Sequence, residues 1–241
     1  MLYHRYCLVL QALELTGSHL LASELAVVGA LTALTLLECK CYVGASTNPL
    51  SSLASLEKLR QLALTFHTSA IPGEQLPASL SALSRLEQLE INARDMSEYG
   101  SSHVRLPWAW CQAATQLSCA QLGVGLPLLV GDADSRGPIF PCLTELQLDD
   151  PVDPLSSSAL ACCQALRALK LEYTTLRDAD WAALAALPNL AGLEFEHCSL
   201  EVEDAVAQLQ ALSTLTTLTH VSIEDGPIPL ALTQLPALRS L

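Results

Sequence analysis

The chain has 241 residues, of which 51% are hydrophobic, 15% are charged and only 5% are aromatic. Its formal net charge is −13, which argues against nucleic acid and anionic membrane surfaces as partners, because both attract clustered lysine and arginine. The nine cysteines are odd in number and form neither a disulfide framework nor a zinc-ligand pattern. They indicate reduced, buried thiols and predict a cytoplasmic protein.

One apolar pattern, L-x-x-L-x-L, recurs along the whole chain at separations of 20 to 31 residues. A unit this short cannot bury its own apolar face, so successive copies must stack on one another into a solenoid. The two clearest copies read LRALKLEYTTL and LAGLEFEHCSL. The copies start at Leu10, Leu31, Leu59, Leu86, Leu117, Leu143, Leu166, Leu190 and Leu218, with a truncated tenth at Leu238.

Two periodicities alternate within each copy. The stretch Ala168–Leu171 alternates apolar and polar residues, which predicts a strand with one buried and one open face. Between such strands, leucines recur every third residue, as in Leu184, Leu187 and Leu190. That spacing is typical of a short helix or 3₁₀ segment, and Asp180 is predicted to be the N-cap of one such helix.

The pattern resembles the leucine-rich repeat family, in its intracellular type with irregular repeats. The resemblance implies an α/β solenoid, a right-handed horseshoe with a concave parallel β-sheet and short helices or 3₁₀ segments on the convex side. It implies one domain over residues 1–241, about nine repeats plus a truncated tenth, with irregular insertions at 92–116 and 123–142. The family usually carries Asn at the ninth motif position to bond adjacent turns. Here Cys39, Thr174 and Cys198 are assigned to that position, where thiol and hydroxyl groups can partly replace the amide.

The third, fifth, seventh and eighth motif positions are predicted to face outward on the sheet. In the first five copies these residues are mostly small or neutral, as at Ala33, Thr35 and Ala63. From the sixth copy onward they become acidic around a few basic and aromatic side chains. This candidate protein-binding set comprises Glu145, Asp149, Asp150, Lys170, Glu172, Tyr173, Glu194, Glu196, His197, His220, Glu224 and Asp225.

Carboxylates on neighbouring strands repel one another, so this cluster costs stability unless a cation offsets it. It could steer a basic segment of a protein partner into place, with Tyr173 as the buried anchor. The alternative is that the acidic face is only a solvated surface that promotes solubility.

The sequence contains no feature that favours catalysis, and no cofactor is expected. The loop Asp132–Gly137 superficially resembles a calcium loop, but Arg136 and Leu143 occupy positions that require oxygen ligands. The nucleotide-binding and nucleophile-elbow motifs are also missing. We therefore expect a non-enzymatic interaction module or scaffold that binds protein and neither metal nor nucleic acid.

Two alternatives to a self-contained module remain open. The chain stops in the middle of a predicted strand at Leu241, so we expect further chain or a partner to cover that end. It could be the recognition part of a larger protein, such as an immune-type receptor or a ubiquitin-ligase substrate adaptor. It could also be a cytoskeletal or axonemal scaffold, with a matching location in the cytoskeleton or cilium.

Overall fold

A computed structural model describes residues 10–42, 49–67, 82–94, 114–122, 140–149, 160, 162–201, 213–224 and 235–240. Strands dominate, each supplied by one copy of the repeat. They are β1 (Ala12–Leu20), β2 (Leu36–Tyr42), β3 (Gln61–His67), β4 (Gln88–Arg94), β5 (Cys119–Leu122), β6 (Glu145–Asp149), β7 (Ala168–Glu172), β8 (Thr175–Arg177), β9 (Gly192–Glu196), β10 (Ser199–Glu201) and β11 (His220–Glu224). Between them lie the helices α1 (Ala22–Gly29) and α2 (Asp178–Ala185) and the 3₁₀ segment η1 (Pro49–Ser55).

Nine strands form one parallel sheet in the order β1-β2-β3-β4-β5-β6-β7-β9-β11. Their order in space follows their order in the chain, which is the arrangement that stacked repeats produce. The two remaining strands, β8 and β10, form a second parallel pair. One register shift lies between β1 and β2, between Leu15 and His19. The predicted α/β leucine-rich-repeat solenoid, with its parallel sheet on the concave side, is confirmed.

The core consists of ladders of leucine. In β7, Leu169 and Leu171 are buried while Ala168, Lys170 and Glu172 point to the other side of the sheet. Leu169 is in register with Leu146 on one neighbouring strand and with Leu193 on the other. Each leucine therefore packs between copies of itself, so one aliphatic shape can fill the core from end to end.

The predicted helical stripes pack on the other side of this core. Leu184, Leu187 and Leu190 are fully or almost fully buried. Near them, Trp181 of α2 is completely buried and meets the Phe195 ring edge to face, with ring centroids 5.8 Å apart. This aromatic contact thus joins a convex helix to a concave strand.

The predicted N-cap at Asp180 is wrong. The helix starts at Asp178, so Arg177 occupies the N-cap position and Asp180 lies in the first turn. The Arg177 backbone N–H donates to the Asp180 carboxylate at 2.8 Å. Leu21 and Glu24 repeat the arrangement at α1, with a distance of 2.7 Å. In both helices an acidic third residue satisfies the open N–H of the cap.

The second copy of the repeat begins at Leu34 and not at Leu31. Pairing of β2 with β3 sets Leu37 opposite Leu62 and Cys39 opposite Leu64. Cys39 is therefore a buried sixth-position residue, and its thiol lies 3.6 Å from that of Cys41. The sequence LTALTLLECKC holds leucines in two overlapping registers, and only pairing with the neighbouring strand distinguishes them.

The ninth position does join adjacent turns at Cys198. Its thiol donates to the Leu171 carbonyl of the preceding copy at 3.3 Å, as well as to its own Glu196 carbonyl at 3.4 Å. Thr174 instead bonds the Glu172 carbonyl of its own turn at 3.0 Å. The Cys198 thiol thus makes a hydrogen bond between adjacent copies, which is the role that asparagine has in the leucine-rich repeat family, as the sequence predicts.

Most of the predicted insertions at 92–116 and 123–142 lie outside the described residues, as does the loop Asp132–Gly137. The single-domain assignment therefore stays a prediction. In the part of the chain that the structure describes, no helix combines the length and the hydropathy needed to cross a bilayer.

The close contact between α1 and η1 gives the first testable prediction. A Cβ atom at Gly29 would lie 2.5 Å from the Ser52 carbonyl oxygen, closer than any relaxed contact. A helical Gly→Ala change ordinarily stabilises a protein by about 0.5–1 kcal/mol. We expect Gly29→Ala instead to lower the free energy of unfolding by about 1–3 kcal/mol, because backbone must shift.

Thermal or urea unfolding followed by circular dichroism measures this effect. Ser23→Ala is the matched control, since Ser23 is an exposed residue of the same helix. Unchanged or increased stability of the Gly29→Ala variant would contradict the described packing of α1 on η1.

Candidate protein-binding surface

The candidate site lies on the outer face, defined as the side of the nine-stranded sheet that points away from the leucine core. Its C-terminal part, here called the acidic half, is formed by β6, β7, β9 and β11 and by the turns after β7 and β9. The structure brings together on it Glu145, Asp149, Lys170, Glu172, Tyr173, Glu194, Glu196, His197, His220 and Glu224. Two predicted members, Asp150 and Asp225, lie outside the described residues.

Strand register aligns four carboxylates in one row across the acidic half. Asp149 pairs with Glu172, Glu172 with Glu196, and Glu196 with Glu224. Parallel strands are about 4.8 Å apart, so these neighbours would repel one another strongly if nothing intervened.

Lys170 supplies the missing positive charge. Its ammonium group lies 2.6 Å from a Glu172 carboxylate oxygen and 2.7 Å from one of Glu196. Gln147 adds a hydrogen bond to Glu172 at 2.5 Å. For this pair of carboxylates, the cation that offsets the repulsion is therefore a lysine of the same face.

The bridge also shifts the titration of both partners. Hydrogen bonds to Glu172 and Glu196 raise the pKa of Lys170 above its ordinary value of 10.5. The hydrogen bond from Lys170 lowers the pKa of Glu196 below its ordinary value of 4.5. Both Lys170 and Glu196 are thus held in their charged forms at neutral pH.

Three of the described carboxylates of the acidic half are unpaired. Glu145, Glu194 and Glu224 are exposed and make no ion pair or side-chain hydrogen bond within the described part of the chain. Glu194 is the central one, since it is in register with Lys170 on one side and Ser222 on the other. The available negative charge of this half is therefore concentrated on these three side chains.

An aromatic pair borders the same surface. The Tyr173 and His197 rings stack with centroids 4.9 Å apart and planes inclined by 20°. Tyr173 keeps 55% of its surface exposed. Both residues have positive φ, 50° and 52°, and their backbone N–H groups donate to the Glu196 and Glu224 carbonyls of the next copy. Identical turns thus position the two rings one above the other.

Two histidines belong to the acidic half. His197 Nε2 lies 4.0 Å from Glu196. His220 Nδ1 is hydrogen-bonded to the Ser240 hydroxyl at 2.6 Å. The backbones of the same two residues also form a parallel β-bridge. His220 thus connects the acidic half to the following copy.

The N-terminal part of the outer face is less neutral than the sequence predicts. Glu14, Glu38 and Glu90 all alternate outward on β1, β2 and β4. Ala33 and Thr35 precede β2 instead of lining it, because that copy begins three residues later than predicted. The contrast between a neutral and an acidic half is therefore one of degree.

Two shallow grooves run side by side across the outer face. The first has a volume of about 220 Å³ and crosses β2 to β5; the second, of about 230 Å³, crosses β5 to β9. They share Cys119 and Gln121 on β5. Each is smaller than the roughly 300–1,000 Å³ of ordinary small-molecule sites. Together they form one long trough that fits an extended chain better than a compact ligand.

The part of the chain that the structure describes contains no group of three or more His, Cys, Asp or Glu side chains arranged to hold a metal ion. The acidic residues of the outer face are spread along the sheet and do not converge on one point.

Comparison with known proteins supports the fold directly. No protein-family model matches the sequence, and neither does any curated protein. Solved structures do match: TLR13 in complex with ssRNA13 (TM-score 0.62, 15% identity) covers 99% of this chain. In the mouse RP105/MD-1 complex the match covers 91% (TM-score 0.56, 20% identity). The plant peptide hormone receptor RGFR1 in complex with RGF2 covers 90% (TM-score 0.51, 15% identity).

These similarities establish a leucine-rich-repeat horseshoe fold for this chain. The matches cover 33%, 35% and 33% of the three solved chains. The chain thus spans about a third of the length of the structures it resembles.

The Lys170 bridge gives the second prediction. Lys170→Met leaves Glu172 and Glu196 facing each other unscreened, so we expect the melting temperature at pH 7 and low salt to fall by about 2–4 °C. The lowered pKa of Glu196 means that its contribution is present above about pH 4.5 and is lost as the pH falls. The raised pKa of Lys170 means that its contribution is present below about pH 10.5 and is lost at higher pH.

The fall in melting temperature caused by Lys170→Met should therefore be largest between about pH 5 and pH 10 and should become smaller near pH 3. Thermal melts across this range measure it, with Lys58→Met, in an exposed turn, as the matched control. If Lys170→Met lowers the melting temperature as much at pH 3 as at pH 7, the loss of stability comes from lost packing and not from the ion pairs.

Proposed function

We propose that this chain is a non-enzymatic protein-interaction module that binds a basic segment of a partner protein on the acidic half. The observation that carries the proposal is the set of unpaired carboxylates, Glu145, Glu194 and Glu224, on the same surface as an exposed aromatic stack. Unpaired surface carboxylates steer a cationic partner and set its register. The stacked rings offer the apolar contact that converts an encounter into a stable complex.

Arginine is the cation that best fits this surface. Its planar guanidinium can stack on the exposed Tyr173 ring and can bond a carboxylate through two N–H groups at once. Lysine offers a point charge only and is more strongly hydrated. We therefore propose that the partner segment presents arginine to Tyr173 and Glu194.

A second candidate is that the chain is the recognition part of a larger protein. It spans about a third of the leucine-rich-repeat structures to which it is similar. In this version the acidic half has the same role, and the receptor, adaptor or scaffold activity resides in other domains. The larger protein would then be an immune-type receptor, a ubiquitin-ligase substrate adaptor, or a cytoskeletal or axonemal scaffold.

Protein is the favoured class of partner over nucleic acid. The solved TLR13 structure holds a single-stranded RNA, so the fold itself is compatible with RNA. The net charge of −13 and the outward carboxylates of this chain would repel phosphates. The binding test below therefore includes a single-stranded RNA as a competing class of ligand.

Free, buried thiols support a cytoplasmic location. The seven cysteines that the structure describes are all free, and Cys39, Cys41, Cys163 and Cys198 among them are buried. Burial raises the pKa of the Cys163 thiol to about 12, which keeps it protonated and slow to oxidise. We expect all nine cysteines of the protein from native cells to be alkylated without a reducing agent after denaturation. Mass spectrometry that detects a disulfide would contradict this location.

The proposed function predicts a charge-dependent interaction. A fluorescent twelve-residue peptide of alternating Arg and Ser should bind the wild-type chain, while the Glu–Ser and Gln–Ser peptides and a twelve-nucleotide RNA should not. Glu194→Lys should weaken binding by about 3–10-fold at low salt. Raising the salt from about 0.05 M to 0.5 M should remove most of that difference.

Fluorescence anisotropy measures these affinities. Glu57→Lys is the matched control. Glu57 is exposed in the turn after η1, and its substitution changes the net charge by the same amount as Glu194→Lys. If Glu57→Lys weakens binding as much as Glu194→Lys, only net charge matters and the acidic half is not the site. Failure of the Arg–Ser peptide to bind, or binding of the RNA in its place, would also refute the proposal.

A further inference from the structure

The outer face carries a second, chemically different surface beside the acidic half. Gln61 on β3, Gln88 on β4 and Gln121 on β5 project outward on three adjacent strands. All three line the first groove, between the small side chains of Ala63 and Cys119. We call these three glutamines and the groove between them the amide trough.

The three amides are available to a ligand. Within the described part of the chain, none of them has a hydrogen-bond partner. Gln147, the glutamine of the next strand, differs in this respect because it is bound to Glu172. Each free amide presents two N–H donors and a carbonyl acceptor, so the trough offers both kinds of hydrogen-bonding group.

We infer that the amide trough binds the main chain of the partner segment whose basic part lies on the acidic half. This inference rests on the proposed function. A peptide main chain alternates N–H and C=O groups, and a side-chain amide can satisfy either. The small residues Ala63 and Cys119 leave room for a backbone to approach the sheet.

Charge favours a peptide over nucleic acid in the trough. Glu38 and Glu90 line the same groove as the glutamines. Asn92 donates to Glu90 at 2.6 Å, which holds that carboxylate in place without neutralising it. A phosphate backbone would meet uncompensated negative charge here, whereas a main chain carries none.

The dimensions set the length of the segment. The trough spans three strand intervals from β2 to β5, about 14 Å at about 4.8 Å per strand, and an extended chain advances about 3.3 Å per residue. About four residues thus cross the trough. The three strand intervals from β5 to β9 take about four or five more. Because the two grooves share Gln121, one continuous segment of roughly nine residues can occupy both.

The test compares a basic peptide with chimeras that extend it. The probes are (Arg-Ser)₃ alone and the same peptide joined to (Thr-Ser)₃ at its N-terminus or at its C-terminus. We expect one of the two chimeras to bind about tenfold or more tightly than (Arg-Ser)₃ alone, because the neutral part gains hydrogen bonds in the trough. N-methylation of the three Thr residues, which removes backbone N–H donors, should abolish most of that gain.

Substitutions in the protein test whether the added affinity of the chimera arises in the amide trough. Gln88→Leu combined with Gln121→Leu should reduce the affinity of the better chimera to that of (Arg-Ser)₃. Gln116→Leu, an exposed glutamine in the turn before β5, should leave it unchanged. Circular dichroism melts of each variant show that the fold is intact.

The outcomes separate the inference from the proposed function. If (Arg-Ser)₃ alone does not bind, the acidic half is not a basic-segment site and the proposed function fails. If (Arg-Ser)₃ binds but neither chimera gains affinity, the inference is wrong and the proposed function stands. A gain that survives N-methylation or the Gln88→Leu/Gln121→Leu variant would likewise overturn main-chain recognition in the trough. Binding of oligouridine that this variant abolishes would assign the trough to nucleic acid.

Discussion

Stacking of leucine on leucine between neighbouring copies is the constraint on which this structure depends. A single copy buries almost none of its apolar face, so each strand is stable only between two others. Pairing in register from β2 to β11 sets Leu62, Leu89 and Ala120 in one ladder, for example. Because strand side chains alternate, burying one set of residues turns the residues between them outward. The chemistry of the outer face is thus a direct consequence of the core.

That coupling explains why the outer face is chemically ordered. Residues at equivalent positions of successive copies become direct neighbours, so any bias in the sequence of the repeats becomes a row on the surface. Carboxylates become a row across β6, β7, β9 and β11. Gln61 of β3 and Gln88 of β4 are likewise direct neighbours, and Gln121 lies two residues further along β5. The Lys170 bridge limits the repulsion within the first row, and the remaining free carboxylates keep a strong local field.

The leucine spacing was sufficient to predict stacked repeats, the buried stripe Leu184–Leu190 and the outward residues of β7 and β9. The parallel sheet was implied by the resemblance to the leucine-rich repeat family. Prediction failed where several leucines competed for one position, as around Leu31 and Leu34, since local sequence fits both registers. It also missed contacts between distant copies. Lys170 and Glu196 are far apart in the chain, and only the pairing of β7 with β9 brings them within 2.7 Å.

By residue type alone, the three glutamines of the amide trough are only neutral residues on the outward positions of their strands. Their significance is visible only when three of them appear on adjacent strands with unsatisfied amides, a property of side-chain surroundings and not of residue type. Similarly, the stack of Tyr173 on His197 depends on two turns with positive φ, which nothing in the motif predicts for a tyrosine or a histidine.

Carboxyl footprinting tests the central claim most directly, namely that a basic partner segment lies on the outer face at the acidic half. The protein is labelled with a carbodiimide and glycine ethyl ester, with and without saturating Arg–Ser peptide, and the labelling rate of each carboxylate is read by mass spectrometry. We predict that the peptide slows labelling of Glu194 and Glu224 severalfold and leaves that of Glu57 unchanged. Equal protection of Glu57, or no protection of Glu194 by a peptide that is bound, would contradict this account.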